Sequence, residues 1–228
     1  MLAFEFGAFG PLAVRVERAR IGLPRPLRLL YASDLHLGHW WTARVPQQLI
    51  ASARRAAPDL LLLGGDLADN AGALPCLRAT VSALGDLAPV YAVAGNHDRR
   101  VGEPLVRGAV LAGGGRWLPD EPLDGPVRID GALLPRSNGP RVLCAHEPGL
   151  FPAAVAAGYS LVLAGHLHGG QFVLATRRGL QYPAVWFHRW HGLRFVCGDA
   201  TLFVSRGVAD TFPFRINCPR EVILCEVS

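Results

Sequence analysis

The stretch "LLYASDLHLGHW", residues 29–40, joins an apolar run to two side chains that can bind a metal ion. Leu29 to Ala32 are uninterrupted apolar residues, a pattern that predicts a short strand buried on both faces. Asp34 and His36 follow almost at once, separated by a single residue. Because Asp is also a common turn residue, this pair by itself does not define a site. Its meaning depends on whether other strands end in the same way.

Four further apolar runs also end in side chains that can bind a metal ion. They are followed by Asp66 and Asp69 after "LLLLGG", by Asn96, His97 and Asp98 after "VYAVAG", by His146 after "RVLCA", and by His166 and His168 after "LVLAG". The carboxyl ends of strands in an α/β sheet lie along one edge, where ligands bind. We therefore expect five loops from adjacent strands to converge on one cleft. These loops hold five of the eight histidines, which favours a metal centre over unrelated turns.

The segments between these runs predict an α/β fold. "VPQQLIASARRAA" and "GALPCLRATVSALG" have helical spacing, with a proline near the start of each. Strands and helices therefore alternate at roughly the ~30 residues of a βαβ unit. Residues 101–140 predict a short helix, a strand at "RWL" and turns, and the C-terminal part predicts antiparallel strands in "LRFVCGDATLFVSRG" and "REVILCEV". No linker divides the chain, so we predict a single domain over residues 1–228.

Composition narrows the class of protein. Half of the residues are hydrophobic and 18% are charged, which indicates a globular chain. No apolar run approaches the ~20 residues of a membrane span. The N-terminus lacks the basic start of a secretory signal, and Glu5 interrupts its apolar residues, so we expect a cytoplasmic protein. The net charge of +5 comes from dispersed arginines, which disfavours nucleic-acid binding. The five cysteines include no CxxC pair and are expected to be buried free thiols.

The candidate ligands are too many for one tetrahedral ion. They are Asp34, His36, Asp66, Asn96, His146, His166 and His168. This set suits two divalent ions that share a carboxylate. Mixed oxygen and nitrogen ligands fit Mn, Fe, Zn or Co better than Ca or Mg, and we expect Mn²⁺, with Fe, Zn, Co or Mg as alternatives.

The motifs resemble those of a known enzyme family. "DLH", "GDLAD", "GNHD", "AH" and "GHLH", in this order across residues 34–168, resemble the calcineurin-like metallophosphoesterases. The C-terminal "GHLHGGQF" and "LFVSRGVADTFPFRINCPREVILCEV" resemble the bacterial YkuE/YaeI-like phosphodiesterase branch, which includes enzymes that cleave a UDP-diacylglucosamine pyrophosphate. Residues 101–140 resemble that branch less and look shorter. The resemblance implies a four-layer α/β/β/α sandwich of two mixed β-sheets flanked by helices.

The resemblance also implies a role for each motif residue. Asp34, His36 and His168 would hold one ion, Asn96, His146 and His166 would hold the other, and Asp66 would bridge both. Two such ions lower the pKa of a bridging water and clamp the attacking and leaving oxygens of an in-line displacement. His97 would protonate the leaving oxygen or stabilise the transition state, and Asp69 would orient His97.

The substrate is less determined than the chemistry. The resemblance implies hydrolysis of a phosphodiester or pyrophosphate in a small or lipid-linked molecule such as UDP-diacylglucosamine, with peripheral contact at the inner membrane. Trp40, Trp41 and "AVWFHRWH" form either core or an apolar wall for such a substrate. His39, Arg206 and Arg215 are candidate substrate contacts. A nuclease, a cyclic-nucleotide phosphodiesterase, a phosphomonoesterase and a non-catalytic scaffold stay open as alternatives, although the intact ligand set disfavours the scaffold.

Overall fold

Two mixed β-sheets form the centre of the computed structural model, which describes residues 2–228. The strands are β1 (Phe4–Phe6), β2 (Ala13–Ala19), β3 (Leu27–Ala32), β4 (Leu60–Gly64), β5 (Val90–Val93), β6 (Arg116–Trp117), β7 (Arg128–Asp130), β8 (Arg141–Cys144), β9 (Leu161–Ala164), β10 (Ala175–Arg177), β11 (Leu180–Tyr182), β12 (Arg194–Cys197), β13 (Ala200–Val204), β14 (Phe214–Ile216) and β15 (Glu221–Val227). The helices are α1 (Val45–Ala56), α2 (Leu74–Gly85), α3 (Asn96–Val101), α4 (Glu103–Ala112) and α5 (Phe151–Ala156). Within residues 2–228, no helix is long and apolar enough to cross a bilayer.

Each central sheet contains parallel and antiparallel pairs. The first has the strand order β2-β15-β3-β4-β5-β6, and only the β15–β3 pair in it is antiparallel. The second has the order β12-β13-β9-β8-β7, with β12–β13 as its antiparallel pair. Since β15 from the C-terminus lies between β2 and β3, the two ends of the chain complete one sheet. We therefore propose that the chain forms a single domain.

Both faces of the first sheet are buried, which explains its apolar strands. In β3, Leu30 and Ala32 pack with the apolar side chains of α1, α2 and α4, whereas Leu29 and Tyr31 pack against the second sheet. A strand buried on both faces has no polar alternation, because each of its side chains must be apolar. The same division of odd and even residues continues through β4, β5 and β15.

The second sheet is covered in the same way. Val142 of β8 faces the first sheet, and Leu143 faces outward into a third apolar cluster. Phe151 and Ala154 of α5 cover that cluster together with Tyr159. Helices, sheet, sheet and helix are thus separated by three layers of buried side chains. The predicted four-layer α/β/β/α sandwich is confirmed.

Several local expectations need correction. The loops that carry the candidate ligands follow strands of two facing sheets, β3, β4 and β5 in one and β8 and β9 in the other. The single edge expected from strand order is therefore wrong. The C-terminal strands are not uniformly antiparallel, because β13 is parallel to β9 and β15 is parallel to β2. All five cysteines are free, but Cys76 and Cys197 are exposed rather than buried.

A glycine within α4 offers a test of the helix assignment. Gly108 is exposed, and a Cβ atom added there would meet no other atom within 4 Å. Because glycine loses more conformational freedom than alanine on entering a helix, we expect Gly108→Ala to raise the free energy of unfolding by about 0.5–1 kcal/mol. Chemical denaturation measures this difference. A variant less stable than the parent chain would contradict a regular, open helix at residue 108.

Candidate metal centre

The structure brings the candidate ligands together at the carboxyl ends of five strands, where the edges of the two sheets face each other. Two groups of side chains each present ligand atoms that lie within 4.8 Å of one another. The first group is Asp34, His36 and His168, and the second is Asp66, His146 and His166. Asp34 and His36 are fully buried, so their polar atoms need partners inside the protein.

In the first group the two imidazole rings meet through their Nε2 atoms. His36 Nε2 lies 3.3 Å from His168 Nε2, and His168 Nε2 lies 3.7 Å from Asp34 Oδ1. Two ligand atoms about 2.0–2.2 Å from a common ion lie roughly 3–3.5 Å apart in a tetrahedral or octahedral arrangement. The spacing of the two imidazoles is therefore that of two ligands of one ion.

The second group is tighter and includes the side chain of Asn96. His146 Nε2 lies 3.1 Å from His166 Nδ1 and 3.0 Å from Asn96 Oδ1. Asp66 Oδ2 lies 3.4 Å from His146 Nε2 and 3.9 Å from His36 Nε2. One carboxylate oxygen is therefore close to both groups.

The hydrogen bonds of the Nδ1 atoms of His36 and His168 determine that their Nε2 atoms face the centre. His36 Nδ1 lies 2.8 Å from Asp69 Oδ1, and His168 Nδ1 lies 3.1 Å from the Ala209 carbonyl and 2.7 Å from Asp210 Oδ1. Because these oxygens only accept hydrogen bonds, each Nδ1 carries the proton. The lone pairs of the two Nε2 atoms then face each other. Two facing acceptor atoms form a site for a cation, and with the carboxylate of Asp34 nearby this donor set fits a divalent metal ion.

His146 carries the same signature in the second group. Its Nδ1–H donates to the carbonyl of Gly64 at 2.9 Å, which leaves Nε2 facing Asn96 and Asp66. Burial lowers the pKa of His146, but the hydrogen bond with Asp66 and the charges of Asp34 and Asp66 outweigh it and raise that pKa to about 9. The site therefore attracts positive charge, and a metal ion binds there by replacing a proton.

Backbone strain coincides with the candidate ligands. Non-glycine residues rarely adopt a positive φ, and such residues cluster at functional sites. The candidate ligands with a positive φ are Asp34 (59°), His36 (44°), Asp66 (51°), His166 (73°) and His168 (50°). Backbone hydrogen bonds hold the first two loops together, from Asp34 N–H to Gly65 O and from His36 N–H to Asp66 O. The strain turns each side chain toward the centre.

Two glycines in the motifs make room for the carboxylates. A Cβ atom on Gly95 would lie 2.1 Å from Asp66 Oδ1, and one on Gly165 would lie 2.5 Å from Asp34 Oδ2. Any side chain at either position would displace a candidate ligand. The glycine before "NHD" and the glycine before "HLH" are therefore structural parts of the centre.

Asp69 contacts three histidines, and one of them is His97, its predicted catalytic partner. Its Oδ1 lies 2.8 Å from His36 Nδ1 and 2.9 Å from His97 Nδ1. Its Oδ2 lies 2.7 Å from His39 Nε2, and the ring of His39 stacks on Trp41 at 4.3 Å. His39 Nε2 is therefore held by Asp69, while its side chain is 28% exposed, so its contact with substrate stays a prediction. Burial raises the pKa of Asp69, but its histidine partners outweigh burial and keep that pKa low.

The two arginines expected to contact a phosphate are engaged inside the protein. The side chain of Arg215 is only 1% exposed, and its guanidinium forms two hydrogen bonds to Asp210, at 2.6 and 2.7 Å. Arg206 pairs with the buried carboxylate of Glu221 at 2.9 Å. Buried carboxylates need such cationic partners, which explains both placements. The burial of Arg215 is incompatible with its predicted contact with substrate, whereas that of Arg206, whose side chain is 16% exposed, stays a prediction.

Two further carboxylates position the ligands: Asp98, which the sequence offered without an assigned role, and Asp210, which sequence reasoning missed. Asp98 is fully buried and accepts hydrogen bonds from the backbone N–H groups of Gly95, Leu67 and Ala68, so it fixes two ligand loops. Burial raises the pKa of Asp98 to about 6. Asp210 follows β13, so the rule that acidic residues at strand ends mark the site would have found it.

Asp210 connects His168 to Arg215. Burial raises the pKa of Asp210, but Arg215 and His168 outweigh burial and lower it to about 2, so the carboxylate is ionised. A charged acceptor on Nδ1 holds the tautomer and orientation of His168. We expect Asp210→Asn to weaken Mn²⁺ binding about 10–100-fold, measured by isothermal titration calorimetry. Thermal melting checks folding, because Arg215 loses its ionic partner.

Asp199→Asn is the matched control for this prediction, since Asp199 is exposed and lies outside the centre. Its Mn²⁺ affinity should equal that of the parent chain. A folded Asp210→Asn variant with unchanged affinity would show that His168 does not depend on this carboxylate.

Comparisons with known proteins agree with this geometry. The sequence profile described as "Calcineurin-like phosphoesterase" matches residues 27–170, a range that contains every candidate metal ligand. "Phosphodiesterase YaeI" of Escherichia coli K12 is 28% identical over 223 residues, covering 89% of this chain and 82% of the relative. "Uncharacterized metallophosphoesterase YkuE" of Bacillus subtilis 168 is 25% identical over 224 residues, covering 86% of this chain and 77% of the relative.

One solved structure shows a similar fold. The structure of TT1561 of Thermus thermophilus aligns with a TM-score of 0.51 at 12% sequence identity. The alignment covers 79% of this chain and 89% of that one. At this identity the likeness concerns the fold alone.

Proposed function

The chain belongs to the calcineurin-like phosphoesterase family and is a metal-dependent phosphoesterase, and from this premise we propose that it hydrolyses phosphodiester bonds at a dinuclear metal centre. The observation that carries the proposal is the position of Asp66 Oδ2, close to both groups of facing acceptor atoms. A shared carboxylate between two such groups suits two adjacent ions.

Each ion is assigned its own ligands in this proposal. Asp34, His36 and His168 hold one ion, and their spacing and tautomers support the assignment. The other ion is held by Asn96, His146 and His166, with Asp66 as the shared ligand. The mixed nitrogen and oxygen donors suit Mn, Fe, Zn or Co, and of these we propose Mn²⁺.

The two carboxylates among the ligands leave the centre positive. Asp34 and Asp66 contribute two negative charges, fewer than the four positive charges of two divalent ions. The bound ions would neutralise phosphoryl charge and lower the pKa of a water molecule toward ~7, which supplies hydroxide for in-line displacement. The excess positive charge attracts a phosphate group to this edge of the sheets.

His97 is placed to act on the leaving oxygen. Its backbone N–H donates to Asp66 Oδ1 at 2.7 Å, and its side chain turns away from that contact with 24% exposure. Asp69 accepts from Nδ1, so Nε2 is the nitrogen available to a substrate. Burial and the neighbouring His36 lower the pKa of His97, and the charges of Asp66 and Asp69 oppose that shift. We assign His97 the transfer of a proton to the leaving group.

A diester substrate is supported by the relatives and by the arginines. The relative from Escherichia coli carries the name phosphodiesterase. Arg206 and Arg215, the expected partners of an additional phosphate charge, are instead bound to Glu221 and Asp210. Within the diester class we propose a lipid-linked phosphodiester or pyrophosphate such as UDP-diacylglucosamine. Trp40 supports this proposal, because it is exposed and contacts Trp41, which stacks on His39 beside Asp69.

Selective hydrolysis tests the proposal. The protein is stripped with chelator, reloaded with Mn²⁺, and assayed with bis-p-nitrophenyl phosphate and with p-nitrophenyl phosphate. We expect activity only after reloading, with the diester cleaved faster than the monoester. Faster cleavage of the monoester would make the protein a phosphatase. Activity that survives complete removal of metal would contradict the proposal.

A further inference from the structure

Large apolar side chains are exposed in several segments of the chain, two of which directly follow candidate metal ligands. The most prominent ones, which we call the aromatic face, are Trp40 (65% exposed), Phe172 (37%), Leu174 (68%), Trp186 (73%), Phe187 (83%) and Phe212 (52%). Trp40 comes four residues after the candidate ligand His36, and Phe172 comes four residues after His168. Monomeric proteins rarely expose contiguous apolar surface on this scale unless it contacts a partner.

Ring contacts connect Trp40, Phe212 and Phe172 of the aromatic face through two further phenylalanines. Phe6 lies between Trp40 and Phe214, with ring centroids 5.8 and 4.9 Å away. Phe214 contacts Phe212 at 5.5 Å, and Phe212 contacts Phe172 at 6.2 Å. The rings therefore form a continuous row from the first ligand loop to the last.

The row continues into an open apolar groove. Phe172 and Leu174 are exposed while Val173 between them is buried, so the two exposed side chains lie on the same side of the chain. Leu174 lines a groove of about 480 Å³ together with Tyr182, Pro183 and Trp186. Arg177 also lines this groove.

The charge of this region is positive. Residues 171–198 contain Arg177, Arg178, Arg189 and Arg194 and no Asp or Glu. All four arginines are exposed, and none of them forms an ion pair within residues 2–228. Arg177 and Arg178 lie at the turn between β10 and β11, beside the apolar groove. Unpaired guanidinium groups next to exposed aromatic rings complement a partner surface that has anionic groups on the outside and apolar groups below them.

We propose that the aromatic face docks the protein on a bilayer that contains anionic phospholipids. Trp and Phe side chains enter the boundary between headgroups and acyl chains, and arginines bind lipid phosphates. A single-stranded nucleic acid also offers phosphates, but Leu174 and Pro183 in the groove stack poorly with bases and pack well with acyl chains. Docking needs no hydrolysis, so the inference stands apart from the proposed function.

Flotation with vesicles tests docking without any turnover. The full chain is mixed with vesicles of phosphatidylcholine alone or with about 30 mol% phosphatidylglycerol, a fraction of the order that gives a strongly negative surface. We expect flotation with the anionic vesicles and little with the neutral ones. Arg177→Gln with Arg178→Gln should lower the partition coefficient about 30-fold, from about 1 kcal/mol per arginine. Trp186→Ser with Phe187→Ser should lower it at least about 10-fold.

Leu105→Ser is the matched control, since Leu105 is 55% exposed on α4, outside the aromatic face. Its flotation should equal that of the parent chain, and thermal melting confirms that each variant is folded. Equal binding to neutral and anionic vesicles, or unchanged binding of both double variants, would overturn the proposal. So would flotation abolished by equimolar single-stranded RNA, because that outcome would identify the face as a nucleic-acid surface.

Discussion

We expect Asp66→Asn to abolish metal-dependent hydrolysis. Asp66 Oδ2 is the oxygen close to both ligand groups, and Asp66 Oδ1 accepts the backbone N–H of His97. Asparagine keeps the shape and can still accept that hydrogen bond, but it removes the negative charge from between the two sites. We expect the bound metal to fall below two ions per chain and turnover of bis-p-nitrophenyl phosphate to fall at least about 10³-fold.

Metal content and activity are measured on the same preparations. Asp199→Asn makes the same chemical change at an exposed position and should retain both properties. Burial raises the pKa of Asp66, but the hydrogen bond and charge of His146 outweigh burial and lower it, which shows how strongly the fold favours the charged form. An Asp66→Asn variant that keeps two ions and near-normal turnover would contradict a shared carboxylate.

We expect His97→Asn to slow hydrolysis, and to slow it most for substrates with a poor leaving group. Proton donation in the transition state contributes about 10²–10⁴-fold, and a stable leaving anion needs little of it. Turnover of a p-nitrophenyl diester should therefore fall less than turnover of an alkyl diester. Asp69 binds His97 Nδ1 at 2.9 Å. Nε2 is therefore the proton donor whose loss the substitution tests.

Two further measurements separate proton transfer from disturbance of the metal centre. Metal content should stay unchanged, because the side chain of His97 is not among the proposed ligands. The backbone N–H that binds Asp66 is also retained. An equal loss of activity for good and poor leaving groups would assign His97 an electrostatic or structural role instead.

The strands of the central sheets could be predicted from the sequence, because side chains that are buried on both faces of a strand must be apolar. Leu29, Leu30 and Tyr31 are all fully buried, since β3 contacts helices on one face and the second sheet on the other. An unbroken apolar run in the sequence therefore indicates a strand that is buried on both faces. The motif after each run could be placed at a strand end for the same reason.

The division into two sheets could not be derived from periodicity alone. β5 and β8 give the same apolar pattern, although they lie in different sheets, because burial on both faces does not identify the neighbouring strand. The resemblance to a family supplied that information. β7 and β14 are three residues long, and β10 is exposed, so none of them produces a periodic signal.

The candidate site was predictable where ligands follow strands, and less so where partners come from far along the chain. Asp210 contacts His168 across 42 positions of sequence, and Arg215 reaches that carboxylate from a later segment. Spacing could not show that Arg215 would be buried against a carboxylate rather than open to a phosphate. The contact of His39 with Asp69 could not be predicted for the same reason, because the two residues lie 30 positions apart.

Anomalous diffraction from crystals of the Mn²⁺-loaded protein tests the dinuclear centre most directly. We expect two peaks about 3.5–4 Å apart at the manganese edge, with Asp66 between them. One peak should lie among Asp34, His36 and His168, and the other among Asn96, His146 and His166. A single peak, or peaks away from these side chains, would contradict a dinuclear centre at this site.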